Sequence, residues 1–481
     1  MLNKISVLIV LLFVTTTSIA QVEESHIIRL KNNSGDFYEG ELGKVKVKEN
    51  RESSNSLFIE VPFFRIKTRA EKPLAPIFLL AGGPGDDPSV LEELEELGPL
   101  LYEFIGKSDL IVIEQRGNGL SKPKLSCPGS YNLPLNKPLS LSLFTKEYRK
   151  FVTGCRDYWN KKDRDLSSYN VISMVDDIEG VRKHLNYDKI MLFGGSFGSH
   201  HSLTYLKKYP KNVDRVLIDS PEGLNHTVKL PMNVDSILYK LSDLVKENKI
   251  LNRKIPSFIK LVKDQLNTLG SSPVRVKVNH PKTNKEVEIV IGKYDLQLVT
   301  ALKLGRRHYR ELPYRYLQMK KGDYSWLAEE AIDIRVNQGE SLMATLTDCS
   351  SGATKKRWMQ VRNETNKAIL GDALNNIIFT ACDLLPNKEL ANELNVGFYT
   401  NVPILIIYGT QDARTPPQNV KDIVKYFSNY KTLTVKHGSH DLFKEVLEQL
   451  MPIMVKFLTT SIPIKVDLPS NIIAPITLRV K

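Results

Sequence analysis

The feature that most constrains this chain is a rhythm. Short apolar runs recur along it: PIFLLAGG (76–83), DLIVIEQRG (109–117), KIMLFGGS (189–196), VDRVLIDSPEG (213–223), PILIIYGTQD (403–412) and KTLTVKHGSH (431–440). Segments with helical spacing alternate with them, at 91–105, 171–185, 197–210, 417–428 and up to 459. Buried strands separated by helices pair through crossovers. This predicts an α/β fold with a mostly parallel central sheet and helices on both faces. Ligands of such sheets lie at the carboxyl ends of the strands, so chemistry should be sought where the apolar runs stop.

Two regions break the rhythm. Residues 26–70 alternate in polarity (HIIRLK, FYEGELGKVKVKE, SLFIEVPFFRIK) and predict two or three antiparallel strands. Residues 225–396 are mainly helical in pattern, with a hairpin expected over 275–292. From 226 to 396 there are 27 Lys+Arg against 19 Asp+Glu, so +8 of the chain's +13 lies there. The expectation is a large helical cap inserted between two sheet strands. Its densest basic stretch, GRRHYRELPYRYLQMKK (305–321), reads as a solvated helix surface in preference to an anion- or membrane-attracting face. No nucleic-acid motif accompanies it. The division expected is a signal peptide at 1–20, a core at 21–224 and 397–460, the cap at 225–396, and a C-terminal extension at 461–481 whose β-like runs are broken by prolines.

Lys4, the apolar ISVLIVLLFV and the small-residue ending SIA at Ala20 follow the pattern of a cleaved secretory signal. The expectation is an exported protein, periplasmic or secreted, with no membrane span in the mature chain. Export permits disulfides. Of the three connectivities open to Cys127, Cys155, Cys349 and Cys382, the sequence-local one, Cys127–Cys155 with Cys349–Cys382, closes the shorter loops. There is no CxxC pair or Cys/His cluster, and no metal is expected.

The third apolar run ends in Gly194-Gly195-Ser196-Phe197-Gly198, a G-x-S-x-G directly between a strand and a helix. A serine there occupies a sharp turn whose crowding the glycines relieve, above a helix N-terminus that favours developing negative charge. A serine hydroxyl needs a base, and the base an orienting acid. Asp412 follows one strand, and His437 and His440 follow the next. His440 is preferred as the base because it sits further past its strand, in the loop before a helix. His200 and His201 belong to the helix after Ser196 and read as packing or surface residues. A tetrahedral intermediate needs two backbone N–H donors. Phe197 supplies one, and the glycine-rich stretch Gly82-Gly83-Pro84-Gly85 supplies the other, with the Gly83 N–H preferred.

Strand-GGPG, then IEQRGNGLSKP (113–123), then GGSFGS, then Asp412 and His440 resemble the prolyl aminopeptidase and tripeptidyl aminopeptidase group of α/β-hydrolases, peptidase family S33. The resemblance covers about residues 75–225 and 395–460. Cys127, after RGNGLS, is similar to a cysteine of the secreted members. The resemblance implies an α/β-hydrolase fold, Ser196 as nucleophile, Asp412 as acid, His440 as base, the Gly82–Gly83 backbone at the oxyanion hole, and no cofactor. Ala81 stands where prolyl aminopeptidases have His, and Glu114 where they have Asp. Both changes spare the triad and argue against strict prolyl specificity.

An aminopeptidase must hold a free ammonium, which calls for a carboxylate. Glu222, just past a strand, is the first candidate and Asp348 a weaker one, while Arg116 reads as an internal salt-bridge former. The expected function is therefore an exported serine hydrolase releasing short N-terminal units from peptides. Its alternatives are an esterase or amidase with the same triad acting on a small molecule, and a non-catalytic binding protein of this fold.

Overall fold

A ten-stranded sheet organises the chain, in the order β1-β2-β3-β5-β4-β6-β7-β10-β11-β12. Its first strands are β1 (His26–Lys31), β2 (Phe37–Lys48) and β3 (Phe58–Ile66), antiparallel to one another, with β3 antiparallel to β5 (Leu110–Ile113). From there every pairing is parallel, through β4 (Ile77–Leu80), β6 (Ile190–Gly195), β7 (Val213–Asp219), β10 (Ile404–Gly409), β11 (Tyr430–Lys436) and β12 (Asn471–Ile473). The computed structural model describes residues 26–31, 37–85, 101–102, 104–336, 341–375, 379–386, 394–460 and 467–480. The expected signal at 1–20 and most of the expected helix at 91–105 lie outside the described residues.

The apolar runs are explained by burial on both faces. All four residues of β4 and of β5 are buried. Helices Val171–His184, Phe197–Lys208 and Gln418–Val424 pack one face with Phe78, Leu192, Val216 and Ile406. Helix Leu442–Thr459 packs the other with Leu79, Met191, Leu217 and Leu405. Arg116 is fully buried and donates through Nε and Nη2 to both oxygens of Asp177, at 2.7 Å each. It ties the end of β5 to helix Val171–His184.

Residues 220–403 intervene between β7 and β10, which pair directly, Val216 opposite Ile404. This segment holds helices and the antiparallel hairpin β8 (Val274–Asn279) with β9 (Glu286–Ile291). Its apolar side chains share one core with Leu125, Phe144, Tyr148, Trp159 and Tyr169, which precede β6. Cys127 is joined to Cys155 and Cys349 to Cys382, with Cα separations of 5.0 and 5.3 Å. In the basic stretch 305–321, Arg306 pairs with Asp441 and Arg310 with Glu445, both at 2.7 Å. Among the described residues no helix is long and apolar enough to cross a membrane.

Candidate active site

β6 ends in an elbow. Ser196 has φ 53° and ψ −124°, a strained conformation for a residue with a side chain, and helix Phe197–Lys208 begins at the next residue. The glycines around it are enforced by contact. A Cβ on Gly194 would run into the Gly198 backbone, and one on Gly198 into the carbonyl of Leu80. One on Gly195 would stand 2.6 Å from the Asp219 carboxyl. The Ser196 N–H donates to the Asp219 carbonyl at 3.1 Å, which ties the elbow to the end of β7.

The loop after β11 turns sharply at His437, with φ 65°, and brings His440 Nε2 to 3.0 Å from Ser196 Oγ. On its other side His440 Nδ1 lies 2.7 Å from Asp412 Oδ2. A bond from Nδ1–H to the carboxylate leaves Nε2 of the neutral ring as an acceptor facing the hydroxyl. Asp412 is 1 % exposed and fixed by the N–H groups of Arg414 (2.8 Å) and Thr415 (2.9 Å) and the Thr415 hydroxyl (2.7 Å). Of the two competing histidines, His440 reaches the serine. The His437 carbonyl instead accepts from Tyr309 at 3.0 Å.

The glycine loop after β4 lies against the elbow: a Cβ on Gly82 would stand 3.4 Å from that of Ser196. Gly83 and Gly85 have φ of 100° and 70°, values that favour glycine. Gln115 at the end of β5 clamps this loop. Its Oε1 accepts from the Gly85 N–H at 3.1 Å and its Nε2 donates to the Gly82 carbonyl at 3.0 Å. The sequence pointed to its neighbour Arg116 and missed Gln115, whose position between two strand ends was the available signal. Phe197 opens the helix with its N–H at the helix terminus, and its buried ring stacks on His200 at 4.9 Å. His200 and His201 are buried packing residues, and burial pushes His201 down to about 3.

A pocket of about 190 Å³ opens beside Ser196, Gly83 and Pro84. Leu302, Ala344, Leu374 and Phe379 cover it, and Glu222, Thr227, Lys229 and Asp348 supply its polar wall. Glu222 is 5 % exposed, and its Oε2 is held by Lys229 Nζ while its Oε1 has no hydrogen-bond partner. Burial would raise its pKa, but the charges of Lys229 and His200 hold it at about 2. So Glu222 does reach the pocket, but as half of an ion pair that the sequence reading did not foresee. Asp219, behind the elbow, is the opposite case: burial, with Asp412 nearby, pushes it up to about 7. Among the described residues no group of three or more His, Cys, Asp and Glu could hold a metal.

A family model described as alpha/beta hydrolase fold matches residues 75–267. An abhydrolase domain-containing protein of Caenorhabditis elegans is 40 % identical over 52 residues, 11 % of this chain, and the match spans 12 % of that relative's length. Solved structures with likeness include a proline iminopeptidase of Mycobacterium smegmatis, with 11 % identity, 86 % of this chain and 97 % of the other covered, and a TM-score of 0.38. An esterase of Thermogutta terrifontis has 15 % identity, coverage of 86 % and 97 %, and a TM-score of 0.35. An alpha/beta hydrolase enzyme from a Medee basin deep-sea metagenome library has 12 % identity, coverage of 85 % and 97 %, and a TM-score of 0.39. Sheet order, the strand–serine–helix elbow and the family match to residues 75–267 together identify this chain as a protein of the alpha/beta hydrolase fold.

Proposed function

We propose that the protein is a serine hydrolase, and that its substrates are peptides from which it removes N-terminal units. The observation that carries the reading is the continuous hydrogen-bond chain Ser196–His440–Asp412, at 3.0 and 2.7 Å. In this reading Ser196 Oγ attacks the substrate carbonyl carbon as His440 Nε2 takes its proton. Asp412 holds the ring tautomer and stabilises the imidazolium. The N–H groups of Gly83 and Phe197 hold the oxyanion. Collapse of the intermediate expels the amine, which takes the proton from His440. Water, activated by the same base, then releases the acyl group as an acid and restores Ser196. The free Oε1 of Glu222, with Asp348 nearby, is the proposed seat of the substrate ammonium. Export through the segment ending at Ala20 fits the two cystine pairs and belongs to the same proposal.

A second reading, an esterase or amidase of small neutral substrates, is favoured by the Lys229–Glu222 pair, which already neutralises the carboxylate, and by the apolar cover of Leu302, Leu374 and Phe379. Fluorophosphonate labelling of wild type and Ser196→Ala tests the shared chemistry: label on the wild type alone is expected, and label on neither would favour a binding protein. Aminoacyl arylamides compared with their N-acetylated forms separate the two readings. Loss of turnover on acetylation supports the peptidase; equal turnover supports the esterase or amidase.

A further inference from the structure

A second cavity, of about 430 Å³, lies outside the serine pocket and shares a wall with it. Glu222, Thr227 and Lys229 face the serine side of that wall, whereas Gly223, Asn225 and His226 face the second cavity. None of Gly83, Ser196, Asp412 and His440 lines it. Its volume suits a small organic ligand.

Arg357 is the unusual group there. It is 6 % exposed, and only its Nε is engaged, donating to the Val228 carbonyl at 2.6 Å. Among the described residues its two terminal nitrogens make no hydrogen bond or ion pair, although buried guanidinium groups are ordinarily paired. Burial lowers its pKa to about 10, with Asp422, Glu222 and Glu364 opposing, so it is cationic at neutral pH. Lys356 and Lys425 stand at the rim, against one lining carboxylate, Asp422, which lies 3.3 Å from His226 Nε2. Burial holds His226 down at about 4, so it adds no charge at neutral pH. Lys355, Lys356 and Arg357 also form the first turn of helix Lys355–Thr365, where the helix dipole disfavours cations and favours an anion. A second buried group, Asn395 Oδ1, lacks a partner at the same cavity. Leu203, Ile423, Phe398 and Phe427 supply apolar surface.

We propose that this cavity is a second ligand site that takes a small organic carboxylate on an apolar or aromatic body, its carboxylate gripped by the Arg357 guanidinium. The planar fork of two free nitrogens matches a carboxylate bidentately. The apolar walls reward a body that inorganic phosphate lacks.

Calorimetric titration of the mature Ser196→Ala protein with phenylacetate, hexanoate, hexyl phosphate, hexanol and inorganic phosphate tests this. Phenylacetate and hexanoate are expected to bind at least about tenfold more tightly than inorganic phosphate or hexanol. Arg357→Met is expected to lose about tenfold or more in their affinity. Because Arg357 also braces Val228, Lys356→Glu/Lys425→Glu on the exposed rim serves as a second variant, expected to weaken binding about threefold with an unchanged melting temperature. Fluorophosphonate-labelled wild type should still bind both acids. The proposal is overturned if neither acid binds at about 20 mM, if both variants bind like the parent, if labelling Ser196 abolishes binding, or if hexyl phosphate binds more tightly than hexanoate. Since binding is read in a protein without the serine, failure here leaves the hydrolase reading standing, and failure of that reading leaves this site standing.

Discussion

Gln115 and Gly85 are 30 residues apart in sequence, and the side-chain amide oxygen Oε1 of Gln115 accepts the Gly85 N–H at 3.1 Å. With the reverse bond to the Gly82 carbonyl, one side-chain amide fixes both ends of the loop that carries Gly83. Gln115→Ala should therefore loosen the Gly83 N–H, which in the proposed mechanism must be in place before the oxyanion forms. Turnover should fall about 10- to 100-fold, chiefly in kcat, in steady-state assays on an ester or arylamide. Gln115→Glu keeps an acceptor for Gly85 and loses the donor to Gly82, so its activity should fall between the two. A Gln115→Ala enzyme with full kcat would show that the loop needs no clamp.

Asp412 is surrounded by donors from its own turn, so its replacement by Asn should preserve the turn and spoil the tautomer of His440. The expected loss is about 10³- to 10⁴-fold in kcat, with KM little changed. Thr415→Val removes a hydroxyl that donates to Asp412 at 2.7 Å and lies 3.3 Å from His440 Nδ1, and should cost several-fold at most. Equal losses in the two variants would mean that orientation of Asp412, not its charge, governs the rate.

Asp219 ties stability to pH. Its folded pKa, about 7, is raised above the ordinary carboxyl value. The native state therefore holds a proton that the unfolded chain has released, and the stability it contributes is complete below about pH 4 and lost as pH rises towards 7. Asp219→Asn abolishes the effect. Urea unfolding at pH 4.5 and pH 8 should show the variant gaining on the wild type at the higher pH, by roughly 3 kcal/mol. A pH-independent difference would mean that the carboxyl ionises freely behind the elbow.

The Lys229–Glu222 pair sits at the pocket with side-chain exposures of 17 % and 7 %. Lys229→Met strands a buried carboxylate and should destabilise the fold by about 3 kcal/mol. The double variant Glu222→Gln/Lys229→Met should recover most of that in denaturant melts. If Glu222 seats a substrate ammonium, Glu222→Gln should raise KM about tenfold for free-amine substrates and spare their N-acetylated counterparts. Parallel changes on both substrate types would remove Glu222 from recognition.

Residues whose burial is dictated by both faces of the sheet were readable in sequence. The runs at 76–83, 189–196 and 403–412 became β4, β6 and β10, and Ser196, Asp412 and His440 stand at or just past strand ends because parallel strands leave the chain nowhere else to turn. What escaped depends on neighbours far away in sequence. Gln115 carries an amide whose partners follow no periodicity. Lys229, by contrast, is only seven residues from Glu222, but the two are joined by an irregular loop whose path no helix or strand period gives. β12 is three residues long, with Asn471 and Ile473 exposed, and owes its existence to the free edge of β11. The expected helix at 417–428 ends at Val424, ahead of the turn through Phe427 that leads to Tyr430 and β11.

The strands β4, β6, β7, β10 and β11 follow one another across the sheet in chain order, apart from the displaced β5. The strand ends that lead to Gly83, Ser196, Glu222, Asp412 and His440 consequently stand side by side in chain order, and the loop after β11 carries His440 back between Ser196 and Asp412. The cover of the pocket, Leu302, Ala344, Leu374 and Phe379, comes wholly from chain that the Val216–Ile404 pairing bridges over. Heritable change in that stretch reshapes the pocket's cover while Ser196, Asp412 and His440, which lie outside it, keep their spacing. One gene thus carries two texts that evolution can edit at different speeds.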